Sequence, residues 1–95
     1  MSHAISTIIV NDNVGTLLID CVRAALAQAE QVIVVDNASS DSSMDRLAAQ
    51  FAAEPRLVML CMGQNLGFAA GCNLGLGLAT QAHLLFLNPD CILGA

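Results

Sequence analysis

The sequence predicts an α/β protein built on a parallel sheet, and three observations carry that expectation. Four short runs of apolar, largely β-branched residues are spaced along the chain, helical apolar spacing fills the stretches between them, and polar clusters follow most of the runs. Residues 5–10 are β-branched apart from Ser6 and run straight into Asn11, Asp12 and Asn13, which suits a strand buried on both faces. Over residues 14–28, Leu17, Leu18, Cys21, Val22, Ala25 and Leu26 recur at helical spacing, with Asn13 available as an N-cap. Residues 32–35 form a second wholly apolar run that stops at Asp36, Asn37, Ala38, Ser39, Ser40 and Asp41. Ser40 or Asp41 can cap a second helix whose apolar stripe is Met44, Leu47, Ala48 and Phe51, closed off by Pro55. A third strand is expected over residues 57–62.

Residues 66–79 place Phe68, Cys72 and Leu76 on one helical stripe and Gly67, Gly71 and Gly75 on another, a pattern that permits close helix contact. Each interior glycine costs such a helix about 1 kcal/mol relative to alanine. His83–Leu87 is the fourth strand and leads into Asn88, Pro89 and Asp90. Strands that alternate with helices and are nearly all apolar imply right-handed parallel βαβ units with helices on both faces of the sheet. The expected architecture is a Rossmann-like, three-layer parallel half-sheet in the order β-α-β-α-β-α-β, forming one domain over residues 1–95.

Composition narrows the function. With 95 residues, 56% of them apolar and 12% charged, the chain has ample material for a core and none of the marks of disorder. A net charge of −5, with three arginines and no lysine, gives no means of neutralising a run of phosphates, so nucleic acid is excluded as a partner and no P-loop lysine exists. Cys21, Cys61, Cys72 and Cys91 form no CxxC pair and are read as buried thiols in a reducing, cytoplasmic setting. The N-terminus lacks a basic segment followed by an apolar stretch, so no signal peptide is expected. Between Leu57 and Pro89 no Asp, Glu, Lys or Arg occurs, yet glycines and amides break the apolar runs well short of the roughly 18 to 20 residues of a membrane span. His3 and His83 are expected at the surface or an edge, and the methionines fill the core or, for Met1, start the chain.

Ligands of open α/β sheets bind beyond the carboxyl ends of the strands, where strand order reverses. Three of the four runs end in an acidic or amide cluster there: Asn11, Asp12 and Asn13; Asp36 and Asn37; Asn88 and Asp90. Taken singly, such clusters are also what turns and helix caps use. A phospho-receiver reading of Asp12 and Asp36 fails for want of the lysine that chemistry relies on.

Taken in order, the strings STIIVNDN, VIVVDNASSDSS, NLGFAAGCNLGL and LLFLNPD resemble the N-terminal, nucleotide-binding half of family 2 inverting glycosyltransferases of the GT-A fold, and among them the rhamnosyltransferase-like branch. The resemblance runs from Ile5 to Asp90. It implies that Val10, Asn11 and Asp12 line a nucleoside pocket, that Asp36 and Asn37 hydrogen-bond base or ribose, and that Asn65, Gly67, Asn73 and Asn88 border the diphosphate and sugar. Asp12 stands where many relatives carry an aromatic residue, so no base stacking is implied there. By the same resemblance Asp90 is the ligand of a divalent metal, Mg²⁺ or Mn²⁺, which bridges the phosphates of a UDP- or dTDP-linked sugar.

Relatives of this kind carry their catalytic carboxylate and acceptor site in a later part, so no catalytic residue is expected within these 95 and the chain alone is expected to be inactive or nearly so. An exposed fourth-strand edge is expected to favour a homo-oligomer. Membrane association stays open for a longer parent protein. The alternative reading is a non-catalytic nucleotide-binding or structural α/β module.

Overall fold

In a computed structural model, residues 3–87 and Pro89 are described. Four parallel strands, β1 (His3–Asn11), β2 (Ala29–Asp36), β3 (Leu57–Cys61) and β4 (His83–Leu87), alternate with three helices, α1 (Leu17–Leu26), α2 (Ser43–Gln50) and α3 (Phe68–Leu78). The sheet order is β3-β2-β1-β4. The chain therefore steps outward from β1 through β2 to β3, then crosses back to lay β4 on the other side of β1, and the strand order reverses beside β1. The expected α/β half-sheet is what forms.

The two-residue period of the strands sorts the core into two layers. Ile9, Val32 and Val34 join Leu18, Cys21, Val22, Ala25, Leu26 and Leu47 of α1 and α2 in one cluster, while Ile8, Ile33 and Val35 gather with Met62 on the opposite face. Register keeps the layers separate, because Ile8 pairs with Ile33 and Ile9 with Val34. Of the stripe expected on α2, Leu47 is buried and Met44 and Phe51 pack against the core, whereas Ala48 faces solvent.

Helix α3 lies on the second face and meets β1 through its glycines. A Cβ built on Gly75 would stand 2.5 Å from Cγ2 of Ile8, and one on Gly71 would stand 2.9 Å from Cγ1 of Val10. These two positions let the helix backbone settle on the branched side chains of β1, so the close contact the glycines permit is made with a strand. The other stripe is left outside: Phe68 is 58% exposed and Leu76 46%.

Strand β4 forms an open edge of the sheet, as expected, with Leu84, Leu85 and Phe86 exposed and only Leu87 joining the core. The cysteines depart from expectation, because not all are buried thiols: Cys21 is, but Cys61 is exposed at the end of β3 and Cys72 is half-buried, where desolvation pushes its thiol pKa up. Cys91 lies outside the described residues. Among those described, no helix is long and apolar enough to cross a membrane.

At the amino ends of the strands a polar latch holds the α3–β4 connection. The fully buried Ser6 donates its hydroxyl to Oε1 of Gln31 (2.7 Å) and accepts the backbone N–H groups of Thr80 (3.3 Å) and Gln81 (3.1 Å). Gln31 in turn donates Nε2 to the carbonyl of Leu78 (3.1 Å), and its Oε1 also accepts Thr80 N–H (2.9 Å). Nearby, Arg56 donates to the carbonyls of Leu26 (2.9 Å) and Ala29 (3.3 Å) while paired with Glu54 (3.0 Å). The guanidinium thus satisfies a carbonyl left over at the end of α1.

Candidate nucleotide-binding rim

At the carboxyl ends of the strands, parallel pairing sets Asn11 of β1 beside Asp36 of β2 and Asp36 beside Cys61 of β3. The ladder runs on into the loops, where Asn37 N–H donates to the Asn11 carbonyl (2.8 Å) and Met62 N–H to the Asp36 carbonyl (2.9 Å). The polar clusters of the first two strands therefore share one rim, next to the point where strand order reverses, as the sequence implies.

Asn11 is wholly buried, with its amide Nδ2 near Oδ1 of Asp36 (3.0 Å), Oγ of Ser43 (2.8 Å) and Oγ of Ser39 (3.3 Å). The second carboxylate oxygen of Asp36 accepts Ser39 N–H (3.3 Å). Asp36 is itself only 7% exposed, so its carboxylate is held by N–H donors on both oxygens just below the surface. Such an anion, with lone pairs left over, is an acceptor matched to an imide N–H or a ribose hydroxyl.

Oδ1 of Asn11 is the one buried side-chain polar atom among the described residues that lacks a hydrogen-bond partner. Leaving such a group unpaired costs about 1–3 kcal/mol. The orientation of the amide is nonetheless fixed by its surroundings. Ser43 Oγ donates its own proton to Asp41 Oδ1 and Ser39 Oγ donates to the Asn11 carbonyl (3.4 Å), so both hydroxyls face Asn11 as acceptors.

The first two rim loops are tied together by residues outside the predicted binding set. Asn13, at a left-handed φ of 54°, accepts Ser40 N–H (2.8 Å) and Asp41 N–H (3.1 Å) on its side-chain oxygen, and its own N–H donates to Ser39 Oγ (2.9 Å). It does not cap α1, which begins at Leu17 with no side-chain cap. The N-cap of α2 is Ser42, without a side-chain cap, and not Ser40 or Asp41 as expected; Asp41, one residue earlier, accepts Ser43 N–H (3.1 Å) and Gly15 N–H (3.0 Å) from the other loop. Those bonds, the Ser43 hydroxyl foremost, hold the Asp41 carboxyl below the usual aspartate range. The run of serines after Asp36 was the available sequence signal for this lattice; it reads equally as ordinary turn chemistry.

Asn37 is buried and its side-chain oxygen accepts Leu66 N–H (3.0 Å), which links the loop after β2 to the one before α3. In that third loop Asn65 accepts Gly67 N–H (3.0 Å), and Gly67 takes a φ of 91° that favours glycine. Asp12 is exposed at the rim. Val10 is buried with its side chain beneath Gly71 of α3, and Asn73 is exposed midway along α3. Asn88 and Asp90 lie outside the described residues. Among those described, no three metal-ligating side chains gather.

The chain has counterparts among known proteins. The sequence model of glycosyl transferase family 2 matches residues 6–94. The chain belongs to that family. Glycosyltransferase GlyG of Streptococcus pneumoniae serotype 4 is 30% identical over 97% of this chain. The fold is shared with mannosyltransferase PcManGT of Pyrobaculum calidifontis, solved with GDP-Man and Mn²⁺, at a TM-score of 0.87 and 21% identity over 97% of this chain. It is shared too with TarS of S. aureus, solved with UDP-GlcNAc, at a TM-score of 0.79 and 22% identity over 90% of this chain. The family 2 chain spans about a third of GlyG (32%), 29% of the PcManGT chain and 26% of the TarS chain.

Proposed function

We propose that this family 2 chain binds the nucleoside diphosphate portion of a sugar donor at the carboxyl rim of its sheet, as the donor-binding half of an inverting glycosyltransferase. The observation that carries the reading is the Asp36 carboxylate, fixed by Asn11 and Ser39 N–H beside the strand-order reversal. It accepts the imide N–H of the base or a ribose hydroxyl, and the tied loops hold it still, so little ordering is left for the moment of binding. UDP- and dTDP-linked sugars, rhamnose among them, are the donors this reading favours. Asn37, Asn65 and Gly67 shape the neighbouring loop, and Asp12, Asn73 and Asn88 are assigned to the border on the resemblance, while Val10 supports the rim from beneath α3.

A divalent metal, Mg²⁺ or Mn²⁺, is assigned to Asp90 on the resemblance of the NPD string. When bound, such an ion stabilises charge on the departing diphosphate. The attacking acceptor hydroxyl needs a carboxylate base that this reading puts outside the 95 residues, and the chain alone is proposed to bind donor without transferring sugar. The exposed edge of β4 supports self-association.

Calorimetric titration with UDP, dTDP and GDP, each with and without Mn²⁺, tests the assignment on the native chain, Asp36→Ala and Asp90→Ala. Binding that falls at least tenfold in Asp36→Ala and loses its Mn²⁺ dependence in Asp90→Ala is expected. A native chain that binds none of the three would favour the structural-module reading instead.

A further inference from the structure

We infer that Asn11 is a positioning residue, which acts on the nucleotide through Asp36 without touching it; this rests on the rim being the donor site. Asn11 has no exposed surface, yet its amide reaches Asp36, a nearly buried rim carboxylate held by N–H donors on both oxygens. An amide has two N–H bonds to give, and three acceptors surround Nδ2: Asp36 Oδ1, Ser43 Oγ and Ser39 Oγ.

The unpaired Oδ1 identifies what the side chain is kept for. Turning the amide over would pair nothing: it would point Oδ1 at a carboxylate and at two hydroxyls whose protons are committed to Asp41 and to the Asn11 carbonyl. The arrangement therefore keeps the N–H side on Asp36 at the expense of a stranded carbonyl. A neutral donor also leaves the negative charge of Asp36 available to a ligand, which a cationic partner would offset. Through Ser43 the same amide ties Asp36 to the first residue of α2, so carboxylate and helix move as one body.

A residue that works through Asp36 matters to the ligand only while the Asp36 carboxylate is present. The test is a double-mutant cycle on the full chain, with UDP affinity by calorimetry and thermal midpoint measured for native, Asn11→Ala, Asp36→Asn and the double variant. Asn11→Ala is expected to weaken UDP about tenfold in the native background and less than twofold in the Asp36→Asn background, while lowering the thermal midpoint in both. Equal weakening in the two backgrounds would overturn the inference, because Asn11 would then act on its own. A lowered midpoint with unchanged affinity would overturn it as well, leaving a structural role only. If Asn11→Ala does not fold, Asn11→Leu, which keeps the side-chain volume and removes the donor, takes its place with the same criteria. A native chain that is folded yet binds no nucleotide sinks the donor-site reading itself, and the positioning role with it.

Discussion

Replacing Gly75 by alanine sets two effects of known sign against each other. Alanine is favoured over glycine in a helix interior by about 1 kcal/mol. The added methyl, however, would lie 2.5 Å from Cγ2 of Ile8, a side chain fixed inside the sheet at 1% exposure. Relief requires α3 to lift or Ile8 to leave its rotamer, and overpacking of this kind costs about 1–3 kcal/mol. The net expectation is a loss of roughly 1 kcal/mol, rising to about 2 if the helix cannot lift. Gly77, two residues on, supplies the control, since a Cβ there meets nothing within 4 Å. Gly77→Ala should gain up to about 1 kcal/mol from propensity alone. The two variants share their chemistry and differ in the packing contribution, so their separation measures it. Urea denaturation followed by far-ultraviolet circular dichroism is the assay, with thermal melts as a check at about 4–8 °C per kcal/mol for a domain of this size. Gly75→Ala matching or exceeding Gly77→Ala in stability would refute the claim that α3 rests on β1 through its glycines.

Two more expectations concern the rim. Ala38 holds a left-handed φ of 56°, which costs a residue with a Cβ roughly 1–2 kcal/mol, so Ala38→Gly should raise stability by about 0.5–1 kcal/mol after the entropy of glycine is deducted; a thermal midpoint that stays put or falls would contradict this. The Asp41 carboxyl is depressed below its ordinary 3.8 by the Ser43 hydroxyl and N–H groups, so its contribution to stability is present above that value and disappears as pH falls through the lower folded-state value. The gap in thermal midpoint between native and Asp41→Asn should accordingly narrow on acidification, and a gap that is constant from neutral pH to the acid limb would show that the bonds to Asp41 carry no linkage.

Much of the fold was legible because strand and helix periods leave different marks. The run Val32–Val35, apolar without a break, could only be a strand covered on both sides, and all four of its side chains are fully buried. The polar stops after β1 and β2 likewise placed Asn11 and Asp36 on one rim, since parallel strands end together. What the pattern did not disclose was which face of α3 goes inward. Hydrophobic periodicity assumes that the apolar stripe is the buried one, whereas here the small residues approach the sheet and Phe68 and Leu76 face outward. The open fourth strand, by contrast, was expected, and Leu84, Leu85 and Phe86 are exposed there. In the site, Asn13 and Asp41 read as helix caps because capping and loop-to-loop bonding use the same short polar side chains. Asp90, on which the metal assignment depends, lies outside the described residues.

The Ser6 latch has a consequence for which sequences this family 2 chain can tolerate. Surface connections ordinarily accept insertions, but the one after α3 is clamped at both ends of residues 78–81 by a serine and a glutamine from neighbouring strands. Adding a single residue there would slide β4 by one step along β1, turn Leu87 out of the core and put Phe86 in its place. The number of residues in that short bend is thus held as tightly as the identity of any side chain in the sheet.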